Sequence, residues 1–191
     1  RKAIRRITGE GDLPILDVGG REGYLFDPRI STLARGVTVL DIEHDPLCDC
    51  RRAWDGPGSF VQGDLTRLPF RDGSFRTTVC IGTFYNLPHA GMVLDGMREM
   101  GRVTAPGGRI LCEFRNARNP FIRYATSHAR TYDPSLGSLP LEPYTYETAI
   151  DLVKRAGLGI RRIVPVMPPV KPLALMFVIE AFPLPQEGDR Q

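Results

Sequence analysis

Short apolar runs with a β-branched bias recur along this chain, and most end in glycine or in an acid. They predict strands over 14–18 (Ile15, Leu16, Val18), 36–41 (Val37, Val39, Leu40), 59–62, 77–81, 109–114, 159–166 and 173–182. Between several of them the apolar spacing changes to three and four residues. Met92, Val93, Met97, Met100 and Val103 predict a helix over 89–103, and Ala149, Ile150, Leu152, Val153 and Ala156 predict one over 145–156, closed by Gly157. A short helix over 2–8 and a poor one within 24–35, interrupted by Pro28, complete the helical set. The remainder reads as connection. Residues 44–58 are a polar loop with at most one helical turn, and 115–144 form a long, loosely patterned segment of the kind that serves as a lid or binding element. Strands alternating with helices predict an α/β fold: a single, doubly wound, mostly parallel seven-stranded sheet spanning 1–191. No helix separates the last two strands, so the last strand is expected to pair antiparallel.

Composition narrows the function classes. Hydrophobic content of 42% and charged content of 25% are those of an ordinary globular protein, and a net charge of +3 does not by itself argue for nucleic acid as a partner. The apolar runs are too short to span a bilayer. Cys80 and Cys112 sit inside apolar runs as core residues, and the close pair Cys48 and Cys50 has only His44 nearby, so no metal is expected. Without a disulfide framework the expected compartment is reducing, and hence cytoplasmic.

Candidate chemistry gathers at strand ends. The first strand carries Asp17 and breaks into Gly19, Gly20 and Gly23, a turn that brings backbone close to a ligand. Asp41 ends the second strand, where a carboxylate can accept from both hydroxyls of a ribose, and Asp64 follows the third. In a doubly wound sheet these ends share one ligand-binding edge. Gly19-Gly-Arg-Glu-Gly23 lacks the glycine spacing of nicotinamide enzymes.

Taken together, the motifs resemble the class I S-adenosylmethionine-dependent methyltransferases that act on small molecules and lipids. They are Ile15-Leu-Asp-Val-Gly19 with Gly23, Val39-Leu-Asp41, Gln62-Gly-Asp-Leu65 with Leu68-Pro-Phe70, Asp72-Gly-Ser-Phe75, Met97-Arg-Glu-Met100 with Pro106-Gly-Gly-Arg109, and Thr145-Tyr-Glu147 into Ala156-Gly157. The resemblance implies S-adenosyl-L-methionine as cofactor. Asp17, Gly19, Gly20 and Gly23 would lie at its methionine end, Asp41 at the ribose, Asp64 and Leu65 at the adenine, and Phe84 near the methyl group, with Ile42 also among the cofactor-binding residues. Tyr85, His89 and His128 are the candidate catalytic residues. Tyr85, Arg118, Arg123 and Tyr132 are candidates for contact with a small-molecule or lipid-like acceptor, anionic acceptors included. The pattern departs from the family at Arg21, which replaces the second loop glycine, at Arg76, and at Tyr85-Asn86. Arg21 keeps a rival open, a methyltransferase-like binding protein that transfers nothing. An RNA methyltransferase is a further alternative, although the Asn-Pro-Pro-aromatic turn of base-modifying enzymes is replaced by Phe84-Tyr-Asn-Leu-Pro88.

Overall fold

The computed structural model describes residues 10–21, 25, 36–54, 58–137 and 139–185. The helices expected over 2–8 and within 24–35, and with them Gly23, lie outside the described residues. Seven strands form one sheet: β1 (Ile15–Val18), β2 (Val37–Asp41), β3 (Ser59–Gln62), β4 (Phe75–Cys80), β5 (Thr104–Arg115), β6 (Leu158–Val166) and β7 (Met176–Pro183). Their order is β3-β2-β1-β4-β5-β7-β6. Pairings from β3 to β5 are parallel, while β7 runs antiparallel to both β5 and β6. The expected fold and the reversed last strand are therefore observed. The strand order reverses at β1, next to β4, which opens a crevice at their carboxyl ends.

Both faces of the sheet are covered, and this explains the near-continuous apolar runs. On one face Leu16, Val18, Leu40 and Ile110 pack with Met97 and Met100 of α2 (Ala90–Val103) and with Leu152 and Val153 of α4 (Tyr146–Arg155). On the other, Ile15, Val39, Val79 and Leu111 pack with Leu47 and Cys50 of α1 (His44–Ala53). Of the stripes read from the sequence, Val93, Met97, Met100 and Val103 of α2 and Ala149, Leu152 and Val153 of α4 are buried, while Met92, Ile150 and Ala156 are half-buried.

Two stretches expected as connection are helical. The loop expected over 44–58 contains α1, ten residues long. Pro46 misleads there: it lies in the first turn, where no intrahelical N–H bond is lost. The segment 115–144 contains α3 (Pro120–Tyr132), whose start is marked by Asn119 as N-cap and proline at the first helical position. The Asn119 side chain accepts from the N–H groups of Phe121 (2.9 Å) and Ile122 (3.1 Å). Strand β5 also reaches back through the glycine turn before 109, with a register shift against β4.

Candidate functional site

The carboxyl ends of β1, β2 and β3 are tied into one edge by their own backbone. The N–H groups of Gly19 and Gly20 both donate to the carbonyl of Leu40, at 2.7 and 3.2 Å, and Gly63 N–H donates to the Asp41 carbonyl at 2.9 Å. Gly19 has φ +70°, and a Cβ there would collide with the Thr83 side chain at the end of β4. A Cβ on Gly20 would lie 2.7 Å from Val39 Cγ1 and 3.0 Å from Asp17 Oδ2. Both glycines are therefore required by close approach, and Asp17, buried beneath Gly20, supports the loop from inside the sheet.

Asp41 is buried and works in two directions. Its Oδ2 accepts from Arg21 N–H (2.9 Å) and its Oδ1 from Glu43 N–H (3.0 Å), so one carboxylate fixes the glycine loop and the chain beyond β2. A carboxylate has about four lone-pair sites; two remain for a ligand. Arg21 sits at φ +42°, the left-handed conformation that glycine adopts freely. Its side chain leaves the loop toward Glu43, 3.6 Å away, and both side chains are 57% exposed. The arginine that replaces the family glycine thus points outward.

Beside Asp41, Ile42 is 64% exposed, an apolar side chain held at the sheet edge by Gln62 Nε2 donating to its carbonyl (3.0 Å). Asp64 is exposed, with Oδ1 accepting from the N–H and Oγ1 of Thr66, both at 2.8 Å. The Leu65 side chain is buried against Gly96, so only its backbone can face the edge.

The residues after β4 differ more from expectation. Phe84, expected near the methyl group, is 1% exposed, and its ring packs 5.3 Å from that of Phe114 in the core. It supports the edge from beneath and does not line it. His89, expected as a base, is the N-cap of α2, with Nδ1 accepting from Met92 N–H at 3.3 Å. His128 lies on the exposed side of α3, stacked on Tyr124 at 4.3 Å and bonded to Ser127 Oγ and the Tyr124 carbonyl. Tyr132 Oη meets Tyr124 Oη at 3.2 Å, Arg118 pairs with Glu147 at 3.1 Å, and Arg123 is exposed on α3. Among the described residues no hydrogen bond, ion pair or ring contact joins these four α3-side residues to the strand ends.

Tyr85 does belong to the edge. The Arg115 guanidinium, at the end of β5, lies 3.8 Å over its ring, and Glu142 N–H donates to its carbonyl at 2.8 Å. Tyr144 N–H in turn donates to the Arg115 carbonyl at 2.8 Å. Residues 142–144 therefore cross from the end of β4 to the end of β5. Two clefts open elsewhere, one of about 350 Å³ beside Asp12, Arg76 and Arg109 and one of about 830 Å³ beside Asp72, Arg98 and Pro106. Both lie toward the amino ends of β4 and β5, away from this edge.

A family profile described as "Methyltransferase domain" matches residues 16–112, just over half of the chain. The chain belongs to the methyltransferase-domain family. Among curated relatives, it is 28% identical over 152 residues to the mitochondrial 2-methoxy-6-polyprenyl-1,4-benzoquinol methylase of Dictyostelium discoideum, covering 66% of this chain and 48% of that protein. It is 35% identical over 117 residues to the ubiquinone/menaquinone biosynthesis C-methyltransferase of Bartonella quintana, covering 56% of this chain and 44% of that one. The chain thus spans less than half the length of these relatives. In fold it is similar to a solved SAM-dependent methyltransferase from Methanosarcina mazei (TM-score 0.71, 20% identity, 97% of this chain and 99% of that one). It is also similar to one from Mesorhizobium loti (TM-score 0.74, 17% identity, 94% and 95%).

Within this methyltransferase domain, three polar groups missed by the sequence reading stand out. Among the described residues, Asn86 Oδ1, Arg115 Nε and Tyr144 Oη are buried without a hydrogen-bond partner. Each such atom costs about 1–3 kcal/mol unless something satisfies it; Arg115 and Tyr144 belong to the crossing over Tyr85, and Asn86 follows Tyr85 in the chain. Burial, and then the nearby Glu142, push the Tyr144 phenol up to about 12, so it keeps its proton near neutrality and can act as a hydrogen-bond donor. The departure Tyr85-Asn86 was the signal available in the sequence. Tyr144 had none, because its partner strand ends come from 29 and more residues earlier.

Proposed function

We propose that this chain transfers a methyl group from S-adenosylmethionine to a small-molecule or lipid-like acceptor. The reading rests on one observation: the Gly19-Gly20 turn, the half-committed carboxylate of Asp41, exposed Ile42 and Asp64 follow one another along a single sheet edge. The residues fit such a cofactor. Gly19, Gly20 and Asp17 would hold its methionine end, Asp41 its ribose hydroxyls, Ile42 the face of its adenine, and Asp64 with the Leu65 backbone the adenine edge. When bound, the cofactor supplies an already activated sulfonium methyl. The protein's share is to align the acceptor and exclude water. Tyr85 and Arg115 form the far wall, with Tyr144 Oη and Arg115 Nε donating to an oxygen of the acceptor and Asn86 Oδ1 accepting from its hydroxyl. The relatives' names point to quinol-type acceptors. The residues 115–144 act as substrate cover, through the strap at 142–144. Arg21, pointing outward, removes the steric reason for a chain that binds nothing.

Titration calorimetry with S-adenosylmethionine and S-adenosylhomocysteine tests the cofactor half; no heat with either at high concentration would sink it. Tyr144→Phe should then raise the KM for an acceptor, such as a demethylated quinol, and leave cofactor affinity unchanged. Unaltered acceptor kinetics in that variant would remove Tyr144 from the site.

A further inference from the structure

Helix α3 buries the wrong residues for an ordinary surface helix. Its inner side is Ile122 with half-buried Ala125, Thr126 and Ala129, while Phe121, Tyr124, His128 and Tyr132 run down its outer side. These four recur at three- and four-residue spacing, so they form one stripe. The stripe is ordered by its own contacts: Tyr124 stacks on His128 and hydrogen-bonds to Tyr132. Phe121 is 63% exposed and Tyr132 71%.

A second segment adds to it. Met167, Val170 and Leu173, in the turn between β6 and β7, are each at least half exposed. This turn is fastened to the start of α3 by two asparagines: Asn119 Nδ2 donates to the Leu173 carbonyl (2.7 Å) and Asn116 Nδ2 to the Ala174 carbonyl (2.8 Å). Of the eight large apolar or aromatic side chains exposed among the described residues, six fall on these two fastened segments. Scattered exposed apolar residues need no explanation, but a contiguous group marks an interaction face.

Charge selects the partner. Both segments are free of acids, from 114 to 132 and from 159 to 179, and they carry Arg115, Arg118, Arg123, Arg130 and Lys171, with Arg161 and Arg162 taken up by Glu180. Arg118 is neutralised by Glu147, and Arg130 donates to the carbonyls of Gly137 and Leu139. Arg123 has no ion pair among the described residues, and Lys171 lies only against the Tyr146 ring, 4.8 Å from its centroid. Aromatic rings with a polar tip, beside aliphatic side chains and basic residues, match the boundary between headgroups and acyl chains. Exposed Met167, Val170 and Leu173 have no use against nucleic acid, where the aromatics alone would stack.

We propose that α3 and the 167–173 turn form a docking face for an anionic lipid bilayer, lying in its surface without crossing it. This inference stands on the exposed face alone and does not require methyl transfer. The chain should co-sediment with vesicles of phosphatidylcholine containing one-third phosphatidylglycerol, and bind pure phosphatidylcholine at least tenfold less. Phe121→Ser with Leu173→Ser should cut partitioning at least tenfold with an unchanged circular dichroism spectrum. As a check that does not remove apolar surface, Phe121→Trp should give an emission that shifts to the blue on adding the anionic vesicles; the native Trp54 is buried and supplies a constant background. Equal binding to neutral and anionic vesicles, or no binding to either, would overturn the proposal. So would a concentration-dependent dimer abolished by the serine pair, or binding to single-stranded oligonucleotide in place of vesicles.

Discussion

Asp41→Asn separates the two tasks assigned to one carboxylate. In the wild type each oxygen accepts one backbone N–H, from Arg21 at 2.9 Å and from Glu43 at 3.0 Å. Asparagine keeps one acceptor and turns an N–H₂ group toward the other donor. One charge-assisted bond is then lost, worth roughly 1.5–3 kcal/mol for a buried group. A chain of this size shifts its Tm by about 2–4 °C per kcal/mol, so the variant should melt about 3–12 °C lower. Asp41→Ala loses both bonds but costs less than twice as much, about 3–4 kcal/mol, because the freed N–H groups gain some access to water. The same change removes a ribose acceptor, and affinity for S-adenosylhomocysteine should fall by about 10–100-fold, as expected for one charge-assisted bond. The assay is thermal unfolding with and without S-adenosylhomocysteine, paired with calorimetry. A melting point within 1 °C of wild type would refute the loop-fixing role. A lowered melting point with an undiminished ligand-induced shift would show that Asp41 is structural and does not meet the cofactor.

Three further outcomes follow from particular contacts. His89→Ala removes only the cap of α2 and should lower stability by about 0.5–1 kcal/mol in chemical denaturation while leaving turnover intact; a loss of turnover in a folded variant would restore His89 as a base. Hydrogen bonding from Arg102, reinforced by the Leu68 N–H, holds the Glu99 carboxyl below its ordinary value of 4.5, so its contribution is present above that pH and lost as pH falls through its lowered folded value. Glu99→Gln should therefore flatten the acid limb of stability against pH, and an unchanged limb would refute the assignment. Burial raises the thiols of Cys80 and Cys112, the latter to about 12, and Cys50 is buried, so an aromatic disulfide reagent should label Cys48 alone in the native protein and all four cysteines in denaturant.

The site was legible where chemistry and secondary structure coincide in a short stretch. Asp17, Gly19, Gly20, Asp41 and Asp64 each sit at the end of an apolar run, and a parallel sheet necessarily brings such ends to one edge. Legibility failed where function depends on which way one side chain turns. Phe84 and Tyr85 are neighbours, yet one ring enters the core against Phe114 and the other lies under Arg115. His89 reads as a candidate base until the ring nitrogen is seen on Met92 N–H. The helices α1 and α3 escaped because proline in a first turn looks like a break, while it removes only an N–H that had no partner.

By itself, then, the order of apolar runs, glycines and acids determined the sheet, its reversed last strand and the placement of Gly19, Asp41 and Asp64 at one edge, because those follow from local periodicity and from the handedness of parallel connections. Only the tertiary structure decided that Arg21 leaves the loop for Glu43, that Tyr85, Arg115 and Tyr144 meet at one crossing, and that α3 carries its aromatic stripe outward. Each of those depends on contacts between segments far apart in the chain, and the pattern within either segment carries no record of the other.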